Sequence, residues 1–298
     1  MLVERPSSES HAKADILLLL VTLLAATGWI FSKEALAGLP PLLFMGLRFF
    51  LAAIVLGIAG WHSLRHVAPA QLKQALGLGA LFALAMAFWI LGLFNASHVG
   101  EGAFITSMGI VLVPVAARAL FGERPPVSTW VALPVAVGGL ACLSLNRGLS
   151  LEPGQLYFLI AAVFFALCFN LNTRLVRGIP AMALTSLQLF MVGVLLLPAS
   201  MLFENWPSEV ATSIWGWLLA SALIGTCMRF FIQTYAQGLA SASHAAIIMM
   251  LEPIWTALLA SWWLGESMGA LQLAGCGLIF MALLINRWAW VRRLLRRR

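Results

Sequence analysis

The sequence predicts an all-α membrane protein: ten transmembrane helices arranged as two inverted five-helix repeats. Three observations lead there. Of 298 residues, 62% are hydrophobic and only 10% charged, with a mean hydropathy of +0.96, whereas a water-soluble domain is roughly half apolar and a quarter charged. The apolar residues fall into runs of membrane-spanning length. Turn and helix-end features of the first half recur in the second half.

A bilayer core needs about 20 apolar residues per helix, and turn residues punctuate this chain at that interval. The polar opening MLVERPSSESHAKAD precedes a first span over 15–37, too long for the apolar core of a cleavable signal peptide. AGLPP ends that span and starts the second, 41–60. The basic loop HSLRHVAP leads to the third, 74–95. NASHVGEG separates it from the fourth, 102–121, and GERPP separates the fourth from the fifth, 127–146. NRGLSLEPG then divides the chain. The sixth span, 155–175, and the seventh, 182–203, are joined by VRGIPA. ENWPSE precedes the eighth, 214–237; the ninth covers 243–264, and after LGES the tenth covers 268–288. These bounds give an N-terminal tail (1–14), a first repeat (15–148), a second repeat (149–288) and a basic C-terminal tail (289–298).

Basic residues orient the chain, because cytoplasmic loops carry the excess of lysine and arginine. With the N-terminus in the cytoplasm, Arg5, Lys13, Arg65, Lys73, Arg118, Arg124, Arg174, Arg177 and the arginines of RWAWVRRLLRRR all fall inside. Only Lys33 and Arg147 fall outside, while Arg48 and Arg229 lie within spans. The expectation is a multi-pass protein of a bacterial-type inner membrane with both termini cytoplasmic. The net charge of +7 then reflects orientation and lipid headgroups. No nucleic-acid reading module accompanies it, so nucleic acid is not an expected partner. The expected partners are the lipid bilayer and a small-molecule substrate; nothing in the pattern sets an oligomeric state.

The repeat is visible residue by residue. KEALAGLPP (33–41) and TRLVRGIPA (173–181) share Gly38/Gly178 and Pro40/Pro180, and the same shift sets Leu47 on Leu187 and Phe50 on Phe190. EGAFITSMGIVLVPVAARALFGE (101–123) matches HAAIIMMLEPIWTALLASWWLGE (244–266) at Ala103/Ala246, Ile105/Ile248, Ala117/Ala260, Gly122/Gly265 and Glu123/Glu266. Five spans per half is an odd number, so the second half enters from the opposite face. Inverted repeats of this kind are a recurrent plan of secondary transporters, with the site near the midplane between the halves.

These segments, with GWIFSKEALAGLPPLLFMGLRFFLAA and the Glu-Pro of MLEPIWTALLASWWLGE, resemble the drug/metabolite transporter superfamily, EamA-type, over roughly 15–288. The resemblance implies ten helices in two inverted repeats around a central cavity. It also implies export of small metabolites, often amino acids, with no cofactor. Arginine is common in the family at the position of Arg48.

A charge at the bilayer centre faces a partner or a water-filled cavity, so the intramembrane charges Glu34, Arg48, Arg229 and Glu252 are the first site candidates. At about 1.5 Å of rise per residue, Glu34 and Arg48 reach similar depths and are able to pair. Arg229 and Glu252 also match in depth, nearer the midplane. Glu252 therefore either pairs structurally with Arg229 or binds substrate or a proton. Arg48 either snorkels and pairs or touches substrate. Trp89 and Trp255, within spans like Trp29, are candidates to line an apolar pocket; Asn170, Gln233 and Tyr235, with Asn172, add hydrogen-bonding capacity. Pro253 cannot donate to the carbonyl of Met249, nor Pro114 to that of Ile110, so both mark kinks.

Other classes fit less well. A multidrug or organic-cation exporter needs an anionic aromatic cavity, and Glu252 is the lone deep carboxylate of the third, fourth, eighth and ninth spans. An enzyme needs a catalytic constellation, but His11, His62, His66, His98 and His244 are scattered, with no HExxH or nucleophile motif. The four cysteines sit singly in apolar runs, without metal-ligand spacing.

Overall fold

The computed structural model describes residues 8–122, 127–145, 152–239, 245 and 248–286. Among these the chain forms eleven helices and no strand. They are α1 (Ser8–Ala35), α2 (Pro41–Ala59), the single turn α3 (Trp61–Leu64), α4 (Pro69–Asn95), α5 (Val99–Phe121) and α6 (Val127–Leu145). Then come α7 (Pro153–Leu175), α8 (Ala181–Phe203), α9 (Thr212–Leu239), α10 (Glu252–Leu264) and α11 (Ala270–Asn286). Proline opens α2, α4 and α7, where the helix has no use for its missing N–H.

Seven of these helices are long and apolar enough to cross a membrane: α1 from Lys13, α2, α4, α5, α7, α8 and α9. The apolar parts of α6 and α11 are shorter. The expected ninth span differs most. Residues 248 and 249 are helical, Met250 and Leu251 form a turn, and α10 begins at Glu252 with Pro253 in its first turn. Proline removes a backbone donor and clashes with the preceding turn, so an interruption replaces the kink expected there. Glu123, His244 and the arginine tail lie outside the described residues.

The turns after α1 and α7 are built alike. Gly38 and Leu39 donate to the Ala35 carbonyl, and Gly178 and Ile179 to that of Leu175. Phe44 donates to Pro40 as Leu184 does to Pro180, both at 2.9 Å. Gly122 and Gly265 end α5 and α10 in the left-handed region, at φ 69° and 66°, where the missing Cβ removes the steric penalty.

The main packing pairs are α2 with α8, α6 with α11, α7 with both α4 and α5, and α1 with both α9 and α10. Apolar lipid offers no hydrophobic drive between helices, so close backbone approach at small residues takes its place. A Cβ on Gly193 would stand 2.9 Å from Cα and 3.0 Å from N of Phe50, so α8 lies on the α2 backbone. Gly193→Val is expected to cost at least about 1–3 kcal/mol as an overpacking change. Gly77→Ala, with nothing within 4 Å, is expected to be neutral or stabilising. Thermal unfolding of the two purified variants checks the contrast, and equal melting temperatures would refute it.

Candidate functional site

A cavity of about 1160 Å³ including its mouth opens between α1, α2, α4, α5, α7, α8, α9 and α10. Its wall is largely apolar, with Trp29, Trp89, Phe82, Phe165 and Phe230 among the larger side chains. Three charged residues face it: Arg48, Arg229 and Glu252. At one end no residue beyond Trp29 of α1 or Trp89 of α4 reaches it, while towards the other end it extends to Asn172, Gln188 and Gln237.

Glu252 sits where α10 starts. Its Oε2 lies 3.5 Å from Nη2 of Arg229, and its Oε1 accepts a hydrogen bond from Trp29 Nε1 at 3.1 Å. The N-terminus of α10 adds the positive end of a helix dipole. Glu252 and Pro253, two costs in an apolar run, thus act together: proline starts a half-helix, and the half-helix end favours the carboxylate.

Arg48 is held differently. It is 4% exposed and docks into α9, where Leu223–Met228 forms a π-helical turn. Its Nε donates to Thr226 Oγ1, its Nη2 to the Gly225 carbonyl at 3.0 Å, and its Nη1 to Ser32 Oγ at 2.7 Å. A π turn frees carbonyls from the regular ladder and often marks a functional site. Gly28 and Gly225 let α1 and α9 meet here: a Cβ on Gly225 would stand 3.0 Å from Gly28 Cα. The expected Glu34–Arg48 pair does not form. Arg48 turns inward to the three neutral oxygens, and Glu34 accepts from Trp263 Nε1 at 3.0 Å.

Of the other candidates, Trp89 and Gln233 line the cavity. Asn170, Tyr235 and Trp255 are placed elsewhere. The Asn170 amide donates to the carbonyls of Val113 and Ala166, both at 2.9 Å, and so ties α7 to α5. The Tyr235 hydroxyl accepts from Lys13 Nζ at 3.2 Å near the start of α1. The Trp255 indole is half-buried off the cavity wall, one turn further along α10.

A chain of amides lines the far part of the cavity: Gln188 donates to Asn172 Oδ1 at 2.7 Å, and Asn172 donates to Gln237. Gln237 escaped the sequence reading, although Arg229, Gln233 and Gln237 recur at intervals of four and so share one face of α9. Thr106 and Thr234 also line the wall. Among the described residues, four buried polar atoms of the lining have no partner: Thr106 Oγ1, Arg229 Nε, Gln233 Oε1 and Gln237 Nε2.

The opposite end is sealed by polar links between helix ends. Lys33 Nζ donates to the carbonyls of Leu93 (3.3 Å) and Ala96 (3.1 Å). Glu266 accepts from the N–H groups of Val99 (2.8 Å) and Gly100 (3.3 Å), and Glu204 from those of Leu42 (2.7 Å) and Leu43 (2.9 Å). Each glutamate satisfies donors that a helix start leaves open.

A sequence profile of the EamA-like transporter family matches residues 12–145 and again residues 152–288. A protein of Salmonella typhimurium named a probable amino-acid metabolite efflux pump is 29% identical over 300 residues, covering 94% of this chain and 97% of that protein. An uncharacterized transporter of Archaeoglobus fulgidus is 26% identical over 274 residues, covering 91% and 85%. A solved crystal structure of 21% sequence identity matches with a TM-score of 0.66 over 95% of this chain and 99% of that chain, which shows a shared fold.

Proposed function

The chain belongs to the EamA-like transporter family, and we propose that it is a secondary transporter exporting small metabolites, amino acids foremost, across the inner membrane by alternating access. The observation that carries this reading is the cavity. Charged residues from α2, α9 and α10 converge on a largely apolar space between the helices, the usual make-up of a small-molecule site. The name of the Salmonella relative supports amino-acid metabolites as the class.

Ten crossings accommodate the helices when α10 is joined to the helical residues before it. Two inverted repeats are supported by the matched turns after α1 and α7 and by the packing. A shift by five spans turns the α4–α7 contact into α1–α9 and the α5–α7 contact into α1–α10. With the N-terminus cytoplasmic, the end sealed by Lys33, Glu204 and Glu266 faces outward, and the cavity extends towards the cytoplasm. Export then requires these outer links to release while the inner half closes. An organic-cation exporter is the weaker reading, because two arginines outnumber one glutamate at the wall.

Proteoliposomes offered a panel of labelled amino acids and their derivatives test this. At least one is expected to move down an imposed gradient with saturable kinetics. Movement of none under any gradient, with folded protein inserted, would remove the substrate class.

A further inference from the structure

We propose that the cargo of this cavity carries one net negative charge and is an apolar-bodied monocarboxylate rather than a zwitterion. The proposal rests on the reading of the cavity as the transport site and narrows its substrate class from free amino acids to anionic metabolites and amino-acid derivatives whose nitrogen carries no charge. Its ground is the charge at the wall. Glu252 is already engaged by Arg229 and Trp29. Arg48 is surrounded by neutral oxygens from Ser32, Gly225 and Thr226. Among the described residues no carboxylate pairs with it. The site therefore holds one positive charge more than it balances. A buried charge without a counter-ion is unfavourable, and an anionic ligand supplies the counter-ion that the protein lacks.

The hydrogen-bonding inventory points the same way as the charge balance. Nη1 and Nη2 of Arg48 each retain an N–H beyond those bonded to Ser32 and Gly225. Arg229 Nε and Gln237 Nε2 are donors with no partner. Among the described residues the wholly unpartnered acceptors at the wall are Gln233 Oε1 and the Thr106 hydroxyl, and Glu252 has lone pairs beyond those facing Trp29 and Arg229. A carboxylate takes several donors, whereas an ammonium group needs three acceptors. The wall thus has donors for the first, while the wall carboxylate that would balance the second, Glu252, is already paired with Arg229. It suits a carboxylate with at most one further donor, such as a hydroxy acid or an N-acyl amino acid. The rings of Trp29, Trp89, Phe82, Phe165 and Phe230 suit an apolar or aromatic body.

Three probes of one shape but different charge test this on the purified full chain: 3-phenylpropionate, phenylalanine and 2-phenylethylamine. Binding by calorimetry is expected to favour 3-phenylpropionate at least tenfold over phenylalanine, with 2-phenylethylamine weakest. Arg48→Gln is expected to erase that preference. Should that variant not fold, Arg229→Gln removes the same charge and carries the same expectation. Equal or tighter binding of phenylalanine overturns the proposal, as does an anion preference that survives in a folded charge-removed variant. If none of the probes binds while labelled amino acids are transported, the proposal fails and the transport reading stands. If nothing binds and nothing is transported, both fail.

Discussion

Glu252→Ala is expected to reduce transport at least tenfold without unfolding the protein. The substitution removes the single carboxylate facing the cavity among the described residues. It leaves Arg229 without its ion pair and Trp29 Nε1 without its acceptor. Truncating one partner of a fully buried, hydrogen-bonded charge pair costs about 2–5 kcal/mol; this pair is part-buried, at 16% and 19% exposed, which favours the lower end, and about 1.4 kcal/mol is already tenfold in binding. Two milder variants separate the contributions. Glu252→Gln keeps an acceptor for Trp29 but loses the charge; Glu252→Asp keeps the charge but shortens its reach. If charge is what matters, Asp retains more activity than Gln. If holding the indole is what matters, the order reverses. Initial rates in proteoliposomes, compared at equal amounts of folded protein, decide between them. Transport by Glu252→Ala at the unsubstituted rate would remove Glu252 from the site.

The broad architecture was legible because bilayer thickness sets a length, and Gly-Pro turns mark where that length ends. Membrane-length runs and the paired turns at Gly38 and Gly178 needed no knowledge of packing. Rotation of each helix about its axis was not legible. A helix apolar all round gives no contrast between lipid and cavity faces. Asn170 and Asn172 differ by about 200° around α7, and only Asn172 reaches the cavity. Gln233 and Tyr235 divide in the same way on α9. The interruption before Glu252 was half visible, since Pro253 announces a disturbance without saying whether the helix bends or stops. The π turn of α9 had no clear sequence signal: Gly225 and Thr226 in LIGTCM are weak helix formers but do not announce a π turn, and the Gly225 carbonyl there depends for a donor on Arg48 from another helix.

That dependence makes Arg48→Ala the substitution with the largest expected effect on stability. Two terms oppose each other. Removing a buried cation that lacks a carboxylate relieves an unfavourable charge, as replacing buried ionic groups by apolar ones sometimes does. Yet the guanidinium binds Ser32, Gly225 and Thr226 and fills the space between α2, α1 and α9. Alanine fills none of it and leaves the Gly225 carbonyl without that donor. Hydrogen bonds to charged groups contribute about 1.5–3 kcal/mol each. The loss is therefore expected to exceed the relief, with a net destabilisation on the order of 3 kcal/mol. Arg48→Met fills the volume but not the bonds, and Arg48→Lys keeps the charge with a different donor geometry. If the bonds to the π turn dominate, the melting temperature falls in the order Arg, Lys, Met, Ala. A Met variant more stable than the parent would mean that the charge dominates. Arg48 would then be retained at a cost to the fold, as expected of a residue kept for its ligand.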